Sequence, residues 1–206
     1  MLILSSPSGA GKTTISNELV TKESNLIKSI SVTTRKPRPG EIDRKDYNFI
    51  NKKEFFSLCN AGQMLEHAIV FNNHYGIPRE PVESNLARGI NVLFSIDWQG
   101  AASLTRVMKE KVVSIFILPP SIKELQFRLK KRNCKTPDDE IKNRLGQACS
   151  EMERCLYYDY VITNHSVDDS VQKIRQILHS EKMKVKRKMN LKNFLQNMSQ
   201  EILDLN

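Results

Sequence analysis

The chain has 206 residues, 39% hydrophobic and 27% charged, which suits one substantial core with room for insertions. No apolar run approaches the length of a membrane span, the short apolar start lacks the basic and long apolar regions of an export signal, and four cysteines without a C-x-x-C pair exclude a disulfide scaffold or a common zinc site. The expectation is a cytoplasmic protein with reduced thiols, and its net charge of +9 points to polyanionic partners.

The first apolar run, residues 1–4, leads into Ser6, Pro7, Ser8, Gly9, Ala10, Gly11, Lys12, Thr13 and Thr14, and then into a helical pattern over 13–20. Strand, glycine loop and helix in that order turn successive backbone N–H groups toward one point at a helix N-terminus, which makes a phosphate cradle. Lys12 would reach the outer phosphates, and the Thr13 hydroxyl stands where a phosphate-bound magnesium is held. Ser6 occupies the place of the motif's first glycine, so Gly-Lys-Thr in a plain surface turn is the competing reading.

Residues 29–35 are rich in β-branched types and read as a second strand ending in a basic, proline-stiffened turn. Arg35 and Arg38 stand three apart there, paired forks suited to bidentate phosphate recognition, with a solvated basic loop as the alternative. A strand over 47–50, a helix opened by Asn51 with Glu54 and closed by Gly62, and a strand over 64–71 holding the single acid Glu66 complete a mixed insert, residues 32–84. His67 and His74 have no second ligand at helical spacing and read as packing or surface residues.

Residues 91–97 form an apolar run ending in Asp97, as expected of a strand buried on both faces with its tip at the ligand edge; Asp97 is placed like a metal-site acid or a strand-end cap. A helix over 101–109 and a strand over 112–118 follow, and the strand, helix, strand order implies parallel right-handed crossovers. Ser121 with Glu124 opens a helix carrying Arg128, Lys130, Lys131 and Arg132; Thr136 and Pro137 open another carrying Arg144. This charged helical hairpin, 121–146, reads as a lid that brings arginines over phosphates, or as a solvated pair of helices. The last strand, 160–163, ends at Asn164 on the loop's edge. A long, increasingly basic helix runs from 168 to about 188, and the rest of the chain has an amphipathic flavour. Residues 181–206 hold six Lys or Arg against three acids, so most of the positive excess lies elsewhere, and nucleotides rank above nucleic acid as partners.

From near its first residue to about residue 184 the chain resembles the guanylate kinases. The motifs recur in order: residues 6–13; Ser31 with Thr33, Thr34, Arg35, Pro37, Arg38, Pro39, Gly40 and Glu41; Asp46 and Tyr47; Leu65 and Glu66; Tyr75 and Gly76; Ile96, Asp97, Trp98, Gln99 and Gly100; Ile117 to Ser121; and Tyr160 to Asn164. The resemblance implies an α/β protein, a P-loop NTPase core with a central parallel β-sheet flanked by helices, plus a mixed α/β nucleoside-monophosphate-binding insert and a helical lid. In residues, this is a core of 1–31, 85–120 and 147–184, an insert of 32–84, a lid of 121–146 and a basic, amphipathic tail of 185–206. The implied activity is transfer of the γ-phosphoryl group of ATP, with Mg²⁺, to GMP and dGMP, in purine nucleotide metabolism and GMP recycling.

Carried over position by position, the resemblance implies that residues 6–14 and Asn164 bind ATP, and that Thr13 and Asp97 attend the metal. Arg35, Arg38, Tyr47 and Tyr75 would grip the GMP phosphate, Ser31 and Glu66 would read guanine, and Asp97 would also meet the acceptor. Lys12, Arg35, Arg128, Arg132, Arg144 and Asp97 would form the catalytic set. Departures from the family pattern are Ser6, Ile77 where a hydroxyl is usual, Ser95 in place of an acid, and Asn133 in place of glycine. The competing readings are a catalytically silent interaction module of the same fold, against which the intact Lys12, Thr13 and lid arginines argue, and a kinase for another nucleoside monophosphate, which Ile77 motivates. Self-association through the C-terminal segment is a further expectation.

Overall fold

The computed structural model describes residues 1–70, 72–132, 138–188 and 190–204; the side chains of Arg132, 138–140, 203 and 204 are outside the description. In chain order the elements are β1 (Leu2–Ser5), α1 (Lys12–Lys22), β2 (Leu26–Lys28), β3 (Val32–Thr33), β4 (Asn48–Phe49), α2 (Lys52–Asn60), β5 (Met64–Val70), β6 (Asn73–Pro78), α3 (Arg79–Ala87), β7 (Asn91–Ser95), α4 (Trp98–Met108), β8 (Val113–Leu118), α5 (Ile122–Arg132), α6 (Asp138–Glu153), β9 (Tyr160–Thr163), α7 (Val167–Met183) and α8 (Leu191–Asp204). They divide into two compact units, residues 1–171 and 172–206.

Five strands form a sheet in the order β2-β7-β1-β8-β9, and every pairing is parallel. Parallel strands joined by helices are covered on both faces, which is why these segments read as continuous apolar runs. Leu2, Ile3 and Leu4 of β1, Leu93 and Phe94 of β7, and Ile115, Phe116 and Ile117 of β8 are all at most 1% exposed. Ile15 and Leu19 of α1, Leu104 of α4 and Leu125 of α5 are equally sealed. With β1 in the centre, the loop after it opens at the C-terminal edge of the sheet, where ligands bind in open α/β folds.

Four strands form a second, mixed sheet in the order β4-β3-β6-β5. Its own small core is Val32, Phe55 and Met64, with Ile50, Leu58 and Cys59 packed against them. The predicted capping box is present: Asn51 Oδ1 accepts from the Glu54 N–H, and Glu54 returns by accepting from the Asn51 N–H. Leu65, Ile77 and Val82 belong instead to the main core cluster with Phe94, Ala101 and Leu104, so the β5–β6 hairpin is rooted in the large sheet's packing.

The structure corrects several sequence expectations. Of the strand expected over 29–35 only Val32 and Thr33 are strand, β3, which pairs with β4 and β6; β2 precedes that span and pairs with β7 in the other sheet, with the Ser29 N–H still donating to Leu93 O at 2.8 Å. A β-branched run satisfies either sheet, and only the available partners decide where it divides. Residues 73–78, to which the sequence reading assigns no strand, form β6, antiparallel to β5, with Asn72 in the left-handed turn conformation, φ 60°. α3 had no counterpart in the sequence reading, because its sequence carries little amphipathic signal and only Val82 is buried. The basic helix expected to about 188 ends at Met183. The predicted cap at Thr136 and Pro137, the departure at Asn133 and the strand end at Phe71 lie outside the described residues.

Phe55 is fully buried at the centre of the insert's core, so Phe55→Ala should destabilise the protein by about 3–5 kcal/mol, the usual cost of truncating a buried phenylalanine. Urea denaturation followed by circular dichroism measures it.

Candidate active site

The loop between β1 and α1 is built on two glycines in the left-handed region, Gly9 at φ 91° and Gly11 at φ 101°. Gly11 caps α1 with no side-chain acceptor, and no acid stands in the helix's first turn. The first N–H groups of α1 are therefore left for a ligand, at the positive end of the helix dipole. The cradle is close-fitting: a Cβ on Gly11 would stand 2.5 Å from Asn164 Nδ2, and one on Gly9 would stand 3.0 Å from Leu129 Cδ2.

Asn164, 3% exposed at the end of β9, donates from Nδ2 to Ala10 O at 2.8 Å and accepts from Ser170 Oγ at 3.0 Å. Arg128 of α5 donates to Ala10 O at 3.4 Å and to Asn164 O at 3.3 Å, while its Nε donates to Glu124 at 2.8 Å. The Ala10 carbonyl of the loop is thereby held from two sides. Lys12 donates from Nζ to Ile96 O at 2.9 Å. Burial holds its ammonium below the ordinary value, opposed by the Asp97 and Glu151 carboxylates.

A cleft of about 850 Å³ opens over this loop. Of the residues singled out in the sequence, it brings together Ser6, Pro7, Ser8, Gly9, Gly11, Lys12, Thr13, Thr14, Ser31, Arg38, Tyr47, Asp97, Arg128 and Asn164. Ala10, Arg35, Glu66, Tyr75 and Arg144 do not line it; Arg144 is half-buried on α6, and the side chain of Arg132 is outside the described residues.

Arg35 and Tyr75 stand next to the cleft's Tyr47. Arg35 Nε donates to the Tyr75 hydroxyl at 3.1 Å, its guanidinium lies 5.0 Å over the Tyr47 ring, and the two tyrosine rings meet edge to face at 6.0 Å. The Arg35 fork is closed on Glu41, with Nη1 and Nη2 donating at 2.6 and 2.7 Å, and the Arg38 N–H also donates to Glu41 at 2.8 Å. The Arg35 hydrogen bond holds the Glu41 carboxyl below its usual range. A carboxylate thus sits where two arginines and two tyrosines converge, a grouping equally suited to a phosphate.

Glu66 is 7% exposed and its Oε2 has no hydrogen-bond partner among the described residues. Burial, with the Asp97 charge adding to it, pushes its carboxyl up to about 7. Both its oxygens and Asp97 Oδ1 abut Gly100, at 3.4–3.5 Å from where a Cβ would be. Asp97 Oδ1 accepts from the Gly100 N–H at 3.0 Å, so this acid caps α4 and faces the cleft at once.

Glu151 was not picked out in the sequence. It lines the cleft from α6, where burial pushes its carboxyl up and the Lys12 charge pulls it back. The signal was there: Ile141 and Ala148 are buried on that helix, and Glu151 continues their stripe by three residues. Lys28 and Ser29 also line the cleft without having been given a site role in the sequence, as does Asp46 of the motif with Tyr47.

Gly11→Ala should weaken ATP binding at least about tenfold, since both the positive φ and the Asn164 contact forbid a side chain. Calorimetric titration with a non-hydrolysable ATP analogue measures it.

Comparison with known proteins gives one family throughout. The family profile described as Guanylate kinase matches residues 1–181. The chain is 56% identical over 198 residues to the guanylate kinase of Ehrlichia chaffeensis, covering 96% of this chain and 94% of that one. It is 57% identical over 184 residues to that of Wolbachia sp. subsp. Brugia malayi, covering 89% and 94%. The crystal structure of guanylate kinase from Anaplasma phagocytophilum superposes with a TM-score of 0.81 at 42% identity, covering 96% of this chain and 93% of that one.

Proposed function

The chain belongs to the guanylate kinase family and transfers a phosphoryl group from ATP to GMP, and on that premise we propose how its residues divide the work. The silent interaction module and the kinase for a different acceptor are not favoured. The observation that carries the division is that a phosphate loop with its lysine, a basic insert and an arginine of the helical hairpin all line a single cleft.

ATP binds with its phosphates on residues 6–14, held by the N–H groups at the start of α1 and by Lys12. Asn164 acts behind the loop, through its bond to Ala10 O, and Arg128 braces the same carbonyl. Guanylate kinases use ATP with Mg²⁺. The site fits that pair: the helix start has no acceptor of its own, and the Thr13 hydroxyl and the Asp97 carboxylate are among the oxygen donors that line the same cleft. Bound there, the ion neutralises phosphate charge and orients the transferring group.

GMP enters against the insert. Arg38, Tyr47, Tyr75 and Arg35 take its phosphate, with Arg35 exchanging part of its hold on Glu41 for the ligand. Ser31 and Glu66 read guanine; an ionised Glu66 accepts a pair of hydrogen bonds from the N1–H and the exocyclic amine, an edge adenine does not present. The attacking group is the phosphate oxygen of GMP, so the protein's task is alignment and charge compensation by Lys12, Arg128, Arg132 and Arg144. The insert, 32–84, and the helical hairpin, 121–146, close over the pair of nucleotides.

No helix among the described residues is long and apolar enough to cross a membrane. Free thiols at Cys59, Cys149 and Cys155 support a cytoplasmic setting. In the second unit, α8 exposes Phe194, Leu195 and Met198 on one side, and Lys192 near its start and Glu201 near its end would pair in an antiparallel second copy, which supports self-association over nucleic-acid binding.

Lys12→Ala should lower kcat at least a hundredfold, since removing one such cation costs about 2–4 kcal/mol of transition-state stabilisation. An ADP-coupled assay with GMP as acceptor reads it, and near-normal turnover would refute the assignment. Glu66 gives a pH signature. Burial pushes its carboxyl up to about 7 in the fold from an ordinary 4.5, so the folded chain holds the extra proton between them, and stability falls as pH rises through that window. GMP requires the ionised form, so KM for GMP should rise as pH falls below about 7 while KM for ATP does not follow, and Glu66→Gln should abolish the trend.

A further inference from the structure

Lys28 is the last residue of β2, half-buried, and it lines the cleft together with Lys12, Ser31, Arg38 and Tyr47. Its ammonium donates at 3.3 Å to Asn17 Oδ1 on α1, a neutral amide, and no carboxylate lies within ion-pair distance of it among the described residues. Burial holds it below its ordinary value, and the charge that works against this is Asp46 in the insert. Lys28 in turn repels Lys12 across the cleft. It is thus a cation within electrostatic reach of the donor lysine on one side and of the residue next to Tyr47 on the other. A half-desolvated charge served only by an amide is incompletely satisfied, and this cleft admits two polyanions.

We propose that Lys28 is a ligand of the acceptor phosphate, donating to it from the core while Arg38 and Tyr47 grip it from the insert. The inference rests on the acceptor-side reading of Arg38 and Tyr47 above. Lys28 differs from them in what it is anchored to. β2 is hydrogen-bonded in parallel to β7, with Lys28 level with Leu93, and the Ser29 N–H extends that ladder to Leu93 O at 2.8 Å. β7 pairs in turn with β1, the strand that carries the phosphate loop. A cation held in that ladder keeps a fixed position relative to Lys12, whereas the insert's arginines move with the insert. Lys28 therefore references the attacking phosphate to the donor's frame, which is what in-line transfer requires.

The alternative is that Lys28 merely ties β2 to α1 through Asn17. Steady-state kinetics of the full chain by the ADP-coupled assay separates the two, with thermal melting to confirm that each variant is folded. Lys28→Met keeps the stem and removes the charge; it should raise KM for GMP about tenfold, the loss of one charge-assisted hydrogen bond, with KM for ATP changed less than about twofold. Lys28→Arg should stay within about threefold of the parent for GMP, because the charge is retained. Asn17→Ala breaks the tie and should leave both KM values within about twofold. The proposal is overturned if Lys28→Met leaves KM for GMP unchanged, raises both KM values alike, or is reproduced by Asn17→Ala. Arg38→Met serves as reference: if it raises KM for GMP and Lys28→Met does not, the Lys28 assignment alone is lost; if neither does, the acceptor-side reading is lost with it.

Discussion

The carbonyl of Ala10 is the point on which the site depends. A loop that turns its N–H groups toward a ligand must turn some carbonyl away from it, and a carbonyl so placed needs a donor of its own. Here the donors are Asn164 Nδ2 at 2.8 Å and Arg128 at 3.4 Å, from the far strand of the sheet and from the helix that roots the charged hairpin. Asn164 is itself fixed by Ser170 and by its N–H, which donates to Leu118 O at 2.8 Å. The loop's shape, the sheet's edge and the base of the hairpin are thus set by one cluster of hydrogen bonds, largely shielded from water.

Around that fixed frame the charges are arranged in compensated groups. Lys12 is held half-buried against Ile96 O with Asp97 and Glu151 as counter-charges, and the Arg35 fork is filled by Glu41. Cations kept this way are oriented without being locked: a phosphate would bring more charge than the carboxylate now in the fork, which keeps the fork aligned. Glu66 is the opposite case, a carboxylate whose Oε2 has no hydrogen-bond partner among the described residues, held by burial in a state that ionises near neutrality. An acid left unpaired inside a protein is costly unless a ligand supplies its donors.

The large sheet and the loop were legible because their signals are local. β1, β7, β8 and β9 are short apolar runs bounded by turns, and glycines at 9 and 11 followed by Lys12 and Thr13 can hardly be read otherwise. Where β2 ends and β3 begins was not legible, since β-branched residues favour any sheet and the partners β7, β4 and β6 lie in later segments of the chain. α3 was missed for want of periodicity, and the end of α7 at Met183 for want of a stop residue in a run of lysines.

By itself, the sequence determined the class of the fold, the phosphate cradle and the family's ordered motifs, all of which are patterns within a few residues of one another. Tertiary structure alone decided that Asn164 stands behind the loop, that Glu41 fills the Arg35 fork, that Asp97 and Glu66 share Gly100, and that Lys28 and Glu151 reach the cleft. Those outcomes depend on distances between segments far apart in the chain and on how much water each charge keeps. Neither quantity is written in any local stretch; both appear only once the core has been packed.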